Sequence, residues 1–186
     1  MHCKSLRFIE IGIIPWANDG MPNFSGFPYL EQLHLSRRLL AETPSDALSK
    51  LAAPCLHHVA MSFSTEDQHS EDYKEFATGQ VRWFADFAAL KTSEYPTSRL
   101  ETIFVHFNPT DSPFWFSDFE DVTWPWVYLD EAAQIVAQHG LKLTYSEPGW
   151  SKQEWDEDAE AGEMAKAKRD AASRTQSEIL AFLVEI

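Results

Sequence analysis

One apolar pattern recurs along this chain of 186 residues. A leucine is followed three residues later by an apolar residue, and a second apolar residue follows two positions on. The four full copies and one shorter copy are Leu6-x-x-Ile9-x-Ile11, Leu30-x-x-Leu33-x-Leu35, Leu56-x-x-Val59-x-Met61, Leu100-x-x-Ile103-x-Val105 and Leu141-x-Leu143. Residues two apart lie on the same face of a β-strand. One such unit cannot bury its apolar face alone, so the copies are expected to stack on a shared core.

The spacing of the copies predicts the fold class. Their first leucines are separated by 24, 26, 44 and 41 residues, and the first two intervals fall in the range of leucine-rich repeats, about 20–29 residues. Links of this length favour crossovers between parallel strands over antiparallel hairpins. We therefore expect an α/β fold, a short irregular leucine-rich-repeat-like solenoid with parallel strands and intervening helices; another α/β arrangement is the alternative.

Three of the links have helical patterns. The sequence Pro44-Ser45-Asp46 predicts a short helix that runs to Ala53, with Ser45 as its N-cap. A stripe of apolar residues predicts a second helix over 70–91. A third helix is predicted to start near Pro125 and to stop at Gly140. Each helix returns the chain to another strand, as an α/β fold requires.

The last part of the chain differs from the repeats. We expect one leucine-rich-repeat-like domain over 1–150 and an acidic C-terminal helix or partly disordered tail over 151–186. Ser151 and Glu154 match a capping box, which predicts a helix start. Acidic residues dominate 154–163 and apolar positions are sparse there, which is typical of a solvated helix.

Composition excludes several classes of function. Fifteen basic residues against 29 acidic ones give a net charge of −14, which disfavours nucleic acid and anionic membrane surfaces as partners. Two cysteines cannot make a disulfide framework, and no apolar run approaches the length that spans a bilayer. We therefore expect a globular protein of the cytoplasm or nucleus that binds neither nucleic acid nor membranes.

The repeat register nominates a binding surface. Residues that flank the second apolar position of each copy should point outward on the exposed face of the sheet, which is the usual binding surface of a solenoid. The candidate binding residues are Phe8, Glu10, Gln32, His34, His58, Thr102 and Phe104; Ala60 occupies the remaining flanking position. Ordinary exposed polar residues of a sheet are the alternative interpretation.

An aromatic run lies farther along the chain. It contains Phe114, Phe116 and Phe119, and its tryptophans Trp115, Trp124 and Trp126 are further candidate binding residues. Neighbouring acids could make these rings an anchor for a basic peptide through stacking and cation–π contacts. Rings buried in a loop between repeats are the alternative, since most aromatic residues in proteins are buried.

Signatures of enzymes are missing from the sequence. It has no nucleophile elbow, phosphate-binding glycine loop or His-Glu-x-x-His motif, so we expect no catalytic residues and no cofactor. Glu10, His34 and His58 could approach one another, but no close-spaced ligand motif supports a metal site. The alternative to protein recognition is an enzyme or small-molecule binder with a pocket between the sheet and the aromatic loop, using His58 or His106.

Two stretches resemble a known family. Ala53-Pro54-Cys55-Leu56-His57-His58-Val59, and the run from Trp124-Pro125-Trp126 to Gly140-Leu141-Lys142-Leu143-Thr144-Tyr145, are similar to repeats of fungal F-box-type leucine-rich-repeat proteins. The resemblance implies a scaffold that binds a protein target in the ubiquitin pathway, where an F-box recruits the ligase core.

The first repeat begins at Leu6, which leaves no room for an F-box before it. We therefore expect the repeat region alone, without ligase recruitment, and a longer F-box protein as its possible origin. An uncapped first strand also predicts self-association through the N-terminal strand edge or a further partner.

Overall fold

A computed structural model describes the part of the chain that forms the sheet and its helices. The described residues are 4–12, 20–36, 43–63, 78–107, 124, 126–149, 151–157, 160–162, 164, 167, 168 and 171. The strands are β1 Phe8–Ile11, β2 Gln32–Ser36, β3 His58–Phe63, β4 Thr102–Phe107 and β5 Lys142–Tyr145. The helices between them are α1 Pro44–Lys50, α2 Thr78–Glu94 and α3 Trp126–Gln138.

All five strands form one parallel sheet in the order in which the chain makes them, β1-β2-β3-β4-β5. This confirms the prediction of an α/β fold with parallel strands. Crossovers between parallel strands are almost always right-handed. Because every crossover steps in the same direction along the sheet, the helices are placed on the same face. They contact one another in chain order, α1 with α2 and α2 with α3.

The repeat pattern sets the register. The first strand position of the pattern forms one row across the sheet, Ile9, Leu33, Val59, Ile103 and Leu143. The next apolar position forms a second row, Ile11, Leu35, Met61, Val105 and Tyr145. In the three central strands both rows are buried, which gives the sheet one continuous apolar face beneath the helices.

The leading leucines are buried at the start of each repeat except the first. Leu30, Leu56, Leu100 and Leu141 belong to the core, as the pattern predicts. Leu6 is exposed, because within the described sheet the first strand has a neighbour on one side only. The shorter fifth copy is a full member of the sheet, since Leu143 pairs with Ile103.

Helix α1 corrects one sequence prediction. Its N-cap is Thr43, whose hydroxyl accepts a hydrogen bond from the backbone N–H of Asp46 at 3.2 Å, and not Ser45. Pro44 takes the first helical position, where its missing N–H costs nothing, so the cap must precede it. The helix ends at Lys50, three residues before the predicted Ala53.

The other two helices agree with their apolar stripes. Helix α2 begins at Thr78 in the described residues, and its buried side chains include Val81, Phe84 and Phe87, as predicted; residues 70–77 of the predicted helix lie outside the described residues. Helix α3 begins at Trp126 in the described residues, next to the predicted start near Pro125. Gly140 has a positive φ of 72° and ends the turn after α3, which confirms the predicted glycine stop.

The chain divides into two compact units. The first comprises Met1–Asn108 and Pro125–Pro148 and contains the sheet. The second comprises Pro109–Trp124 and Gly149–Ile186. In the second unit the capping box is formed as predicted: Ser151 N–H donates to a Glu154 carboxylate oxygen at 2.8 Å, and Glu154 N–H donates to Ser151 Oγ at 3.2 Å. Residues 152–157 are helical, and Trp155 is buried.

No helix among the described residues is long and apolar enough to cross a membrane.

Candidate functional site

The face of the sheet opposite the buried rows carries the predicted binding residues. We call this surface the outer face and define it by two rows of side chains. The first row is Phe8, Gln32, His58, Thr102 and Lys142, and the second row is Glu10, His34, Ala60, Phe104 and Thr144. All ten side chains are exposed or half-buried. The seven sheet residues nominated from the sequence therefore share one surface.

Hydrogen bonds within the chain fix the orientation of His58, which lies at the centre of the first row. Its Nδ1 lies 2.6 Å from Thr102 Oγ1, and the Thr102 hydroxyl lies 3.3 Å from the backbone carbonyl oxygen of His57. A carbonyl oxygen can only accept, so the Thr102 hydroxyl donates to it and accepts from Nδ1–H of His58. This assigns the proton of a neutral His58 to Nδ1. Its Nε2 then carries a lone pair for an incoming donor.

The surroundings of His58 favour its neutral form. Burial lowers the pKa of His58 from its ordinary value, and the nearby rings of His57 and His34 lower that pKa further. Burial penalises the imidazolium ion, and two neighbouring histidines oppose a further positive charge. At neutral pH the centre of the outer face is therefore an uncharged hydrogen-bonding group.

His34 and Glu10 form a second polar pair, on β2 and β1. Nδ1 of His34 lies 3.4 Å from the Glu10 Oε1 oxygen. Nε2 of His34 is buried and has no hydrogen-bond partner in the part of the chain that the structure describes. Buried polar atoms in native proteins nearly always have a partner, so an exception marks a place where another group can complete the network.

Aromatic rings flank these histidines. Phe8 is exposed at one margin of the outer face. Phe104 is half-buried on β4, and its ring centroid lies 6.0 Å from that of His106, two residues farther along the strand. Exposed rings of this kind supply rigid contact area at a low cost in conformational entropy.

Two outer-face residues were missed by the sequence prediction. Lys142 pairs in register with Thr102, and Thr144 pairs with Phe104. The repeat pattern includes the fifth copy, Leu141-x-Leu143, but the candidate binding residues do not include the residues that flank Leu143. The alternation around Leu143 is the signal that finds them.

The candidate tryptophans of the aromatic run do not form one surface in the described structure. Trp126 is buried: its ring packs edge-on against Phe107 at 5.2 Å, and its Nε1–H donates to the carbonyl oxygen of Ser146 at 3.3 Å. A large ring with one N–H is well satisfied in this position, so Trp126 offers no binding surface. Trp124 is half-buried and packs edge-on against Trp155 at 5.6 Å in the second unit. Trp115 lies outside the described residues.

The donor set of the outer face does not make a metal centre. No group of three or more histidine, cysteine, aspartate or glutamate side chains in the described ranges could hold a metal ion. Cys55 is a free, half-buried thiol. The outer face thus offers aromatic rings, amide, hydroxyl and imidazole groups with a single carboxylate and a single amine, a composition suited to contact with another surface.

Comparison of this chain with known proteins found no matching family model, no matching curated protein and no matching solved structure.

Proposed function

We propose that this chain is a protein-recognition module whose outer face binds a partner protein. The observation that supports this most directly is an all-parallel sheet whose ten outer-face residues are all exposed or half-buried, although Ser36, farther along the same face of β2, is buried. Parallel sheets almost always have both faces covered, because their strands are strongly apolar. Here the rows beneath the helices are apolar apart from Tyr145, whereas the outer face carries most of the polar side chains of the strands.

The chemistry of the outer face supports contact with a protein surface. Centres of protein interfaces are depleted of charged residues and enriched in aromatic ones. Among the ten outer-face residues, only Glu10 and Lys142 carry a carboxylate or an amine, in a chain of net charge −14. Phe8 and Phe104 are the aromatic anchors that this proposal assigns to the contact.

We also propose that the sheet is a leucine-rich-repeat-like solenoid. Its sequential strand order and its helices in chain order support this architecture. The resemblance of 53–59 and 124–145 to F-box-type repeats adds a biological context: a substrate-binding repeat region in the ubiquitin pathway. In that context the partner would be the protein that the repeats select.

Affinity capture with matched variants tests the proposal. The double variant His34→Ala with Phe104→Ala removes a hydrogen-bonding group and an anchor from the outer face. Glu131→Ala, at an exposed position of α3, is the control on the helical side. We expect one or more proteins to be retained by the wild type and the control and lost by the double variant.

The captured protein, once purified, should bind the double variant at least about tenfold more weakly, because truncation of an interface anchor costs roughly 1–2 kcal/mol or more. Equal affinity for all three chains would reject the outer face as the recognition surface.

A further inference from the structure

The two edge strands of the sheet differ in how well their inward residues are covered. On β5, Leu143 is 5% exposed although the strand pairs only with β4 among the described strands. On β1, Ile9 and Ile11 are only half-buried, whereas their register partners Leu33 and Leu35 are fully buried. Helix α3 contacts β5, whereas among the described elements β1 makes its substantial contacts with β2. The inward side chains are therefore less completely buried at the β1 edge of the sheet than at the β5 edge.

Exposed apolar side chains are concentrated at this same end. Leu6 is 37% exposed, Phe8 52% and Tyr29 56%; the first two lie on or next to β1, and Tyr29 precedes β2. Natural edge strands are usually protected by short length, by charged side chains (especially lysine), by proline, by a bulge or by a covering segment. Strand β1 is short and its one charged residue is Glu10; it contains neither lysine nor proline. An edge with these properties is suited to pairing with another strand.

The hydrogen bonds to β2 show which backbone groups of β1 face outward. Gln32 N–H donates to the carbonyl oxygen of Arg7 at 3.0 Å, and Phe8 lies opposite Gln32 in the parallel register. In a parallel pair, every second residue bonds to a given neighbour. Arg7 and Ile9 therefore bond toward β2, and the N–H and C=O groups of Phe8 and Glu10 point to the free edge.

We infer that two copies of this chain pair through β1, antiparallel and edge to edge, about a two-fold axis perpendicular to the sheet. This symmetry keeps the helices of both copies on one side and unites Ile9 and Ile11 with those of the second copy. Head-to-tail pairing of β1 with β5 of another copy would leave open chains. The inward residue Leu143 of β5 is already buried, so pairing at that edge would bury less additional apolar surface than pairing at β1.

Electrostatics selects one register. Two registers satisfy the outward groups and the matching faces and also pair three residues of β1 with β1 of the second copy, one with Ile9 opposite its own copy and one with Glu10 opposite its own copy. The second places like charges directly opposite each other, which is destabilising. The first places Phe8 opposite Glu10 of the second copy, so each Phe8–Glu10 pair exchanges both backbone hydrogen bonds.

This register predicts opposite effects for two substitutions at one exposed position. Phe8→Glu places a carboxylate opposite Glu10 of the second copy, and Phe8→Lys places an amine there. Sedimentation velocity of the full chain over a concentration series gives the dimer Kd. We expect a wild-type dimer and a Kd at least about tenfold larger for Phe8→Glu than for Phe8→Lys, since two pairs per dimer change by roughly 1 kcal/mol each.

The double variant Phe8→Glu with Glu10→Lys restores opposite charges and should restore the dimer. Thr144→Glu, on β5, should leave the Kd unchanged. A chain that stays monomeric up to about 100 μM, a weak interaction by the affinity scale, overturns the inference. So does an equal Kd for the two Phe8 variants, or an open series of oligomers that Thr144→Glu abolishes. None of these readouts uses partner capture, so this inference and the proposed function can fail separately.

Discussion

His58 is the residue whose hydrogen bonds and ionisation are tied most closely to the fold. Its Nδ1–H is held by Thr102, and the burial that accompanies this contact lowers its pKa. The unfolded chain lacks both effects. Acidification therefore acts on the centre of the outer face through His58.

This linkage predicts a loss of stability in mild acid. Because the folded-state pKa of His58 is lowered, the unfolded chain takes up this proton first as pH falls below about 6.5. The contribution of His58 to the free energy of unfolding is therefore constant above that pH and falls below it. Urea denaturation between about pH 7.5 and 5 should show a steeper decline for the wild type than for His58→Gln. Identical slopes would contradict the assigned environment of His58.

The raised pKa of Tyr145 leads to a second prediction, a loss of stability at high pH. Burial, followed by the hydrogen bond that its hydroxyl donates to the Asp130 carboxylate and the charge of that carboxylate, raises the pKa of Tyr145 to about 12. The unfolded chain ionises near pH 10, so this stabilisation is complete below pH 10 and is lost as pH rises toward 12. The free energy of unfolding should fall more steeply over that interval for the wild type than for Tyr145→Phe. A decline that the variant shares fully would count against the Tyr145–Asp130 contact.

At the residue scale the sequence predicted membership of the outer face and the approach of Glu10 to His34, but not the contact between His58 and Thr102. Alternation around Leu33 and Val59 is a local property, so it correctly placed His34 and His58 on the exposed side. The bond between His58 and Thr102 joins residues 44 positions apart, and it depends on how the intervening link returns the chain. No local pattern carries that information.

At the scale of single elements, the glycine after α3 is the clearest case of sequence setting structure. Gly140 N–H donates to the carbonyl oxygen of Ala137 at 3.1 Å, and Leu141 N–H donates to that of Val136 at 3.4 Å. These bonds satisfy carbonyl groups that the helix end leaves without partners. They require the left-handed backbone at Gly140, which then directs Leu141 into the core.

Substitution of this glycine should be costly for backbone reasons alone. An added Cβ at Gly140 meets no atom within 4 Å, so Gly140→Ala tests the positive φ without a steric clash. We expect a loss of about 1–2 kcal/mol in the free energy of unfolding. Gly79→Ala in the first turn of α2 is the control, because that position also has open space and no positive φ. It should be neutral or slightly stabilising, and equal losses at both positions would refute the explanation.

The N-cap of α1 was not determined by the sequence alone. Thr43, Ser45 and Asp46 are all residues that favour an N-cap, and their identities alone do not rank them. The structure selects Thr43 because Pro44 suits the first helical position. Thr43→Ala should therefore cost about 1 kcal/mol in urea denaturation, and Ser45→Ala distinctly less. A larger loss at Ser45 would restore the original prediction.

For the whole molecule, the repeat pattern predicted the parallel sheet and its register because each copy places apolar residues at the same positions of a strand. The five copies align in five adjacent strands, including the shortened one at Leu141. The pattern could not separate buried rings from exposed ones in the aromatic run, since both uses need the same residue types. The contacts of Trp126 with Phe107 and Ser146 are long-range and settle its position in the core.

The central claim is that the outer face of this sheet is where the protein meets its partner. Site-specific photo-crosslinking tests it most directly, with benzoylphenylalanine in place of Phe104 on the outer face or in place of Val127, an exposed residue of α3. Both probes should be applied to the full chain with the same partner preparation. We predict a crosslinked partner from position 104 and none from position 127. Crosslinking from position 127 with none from position 104 would contradict the claim.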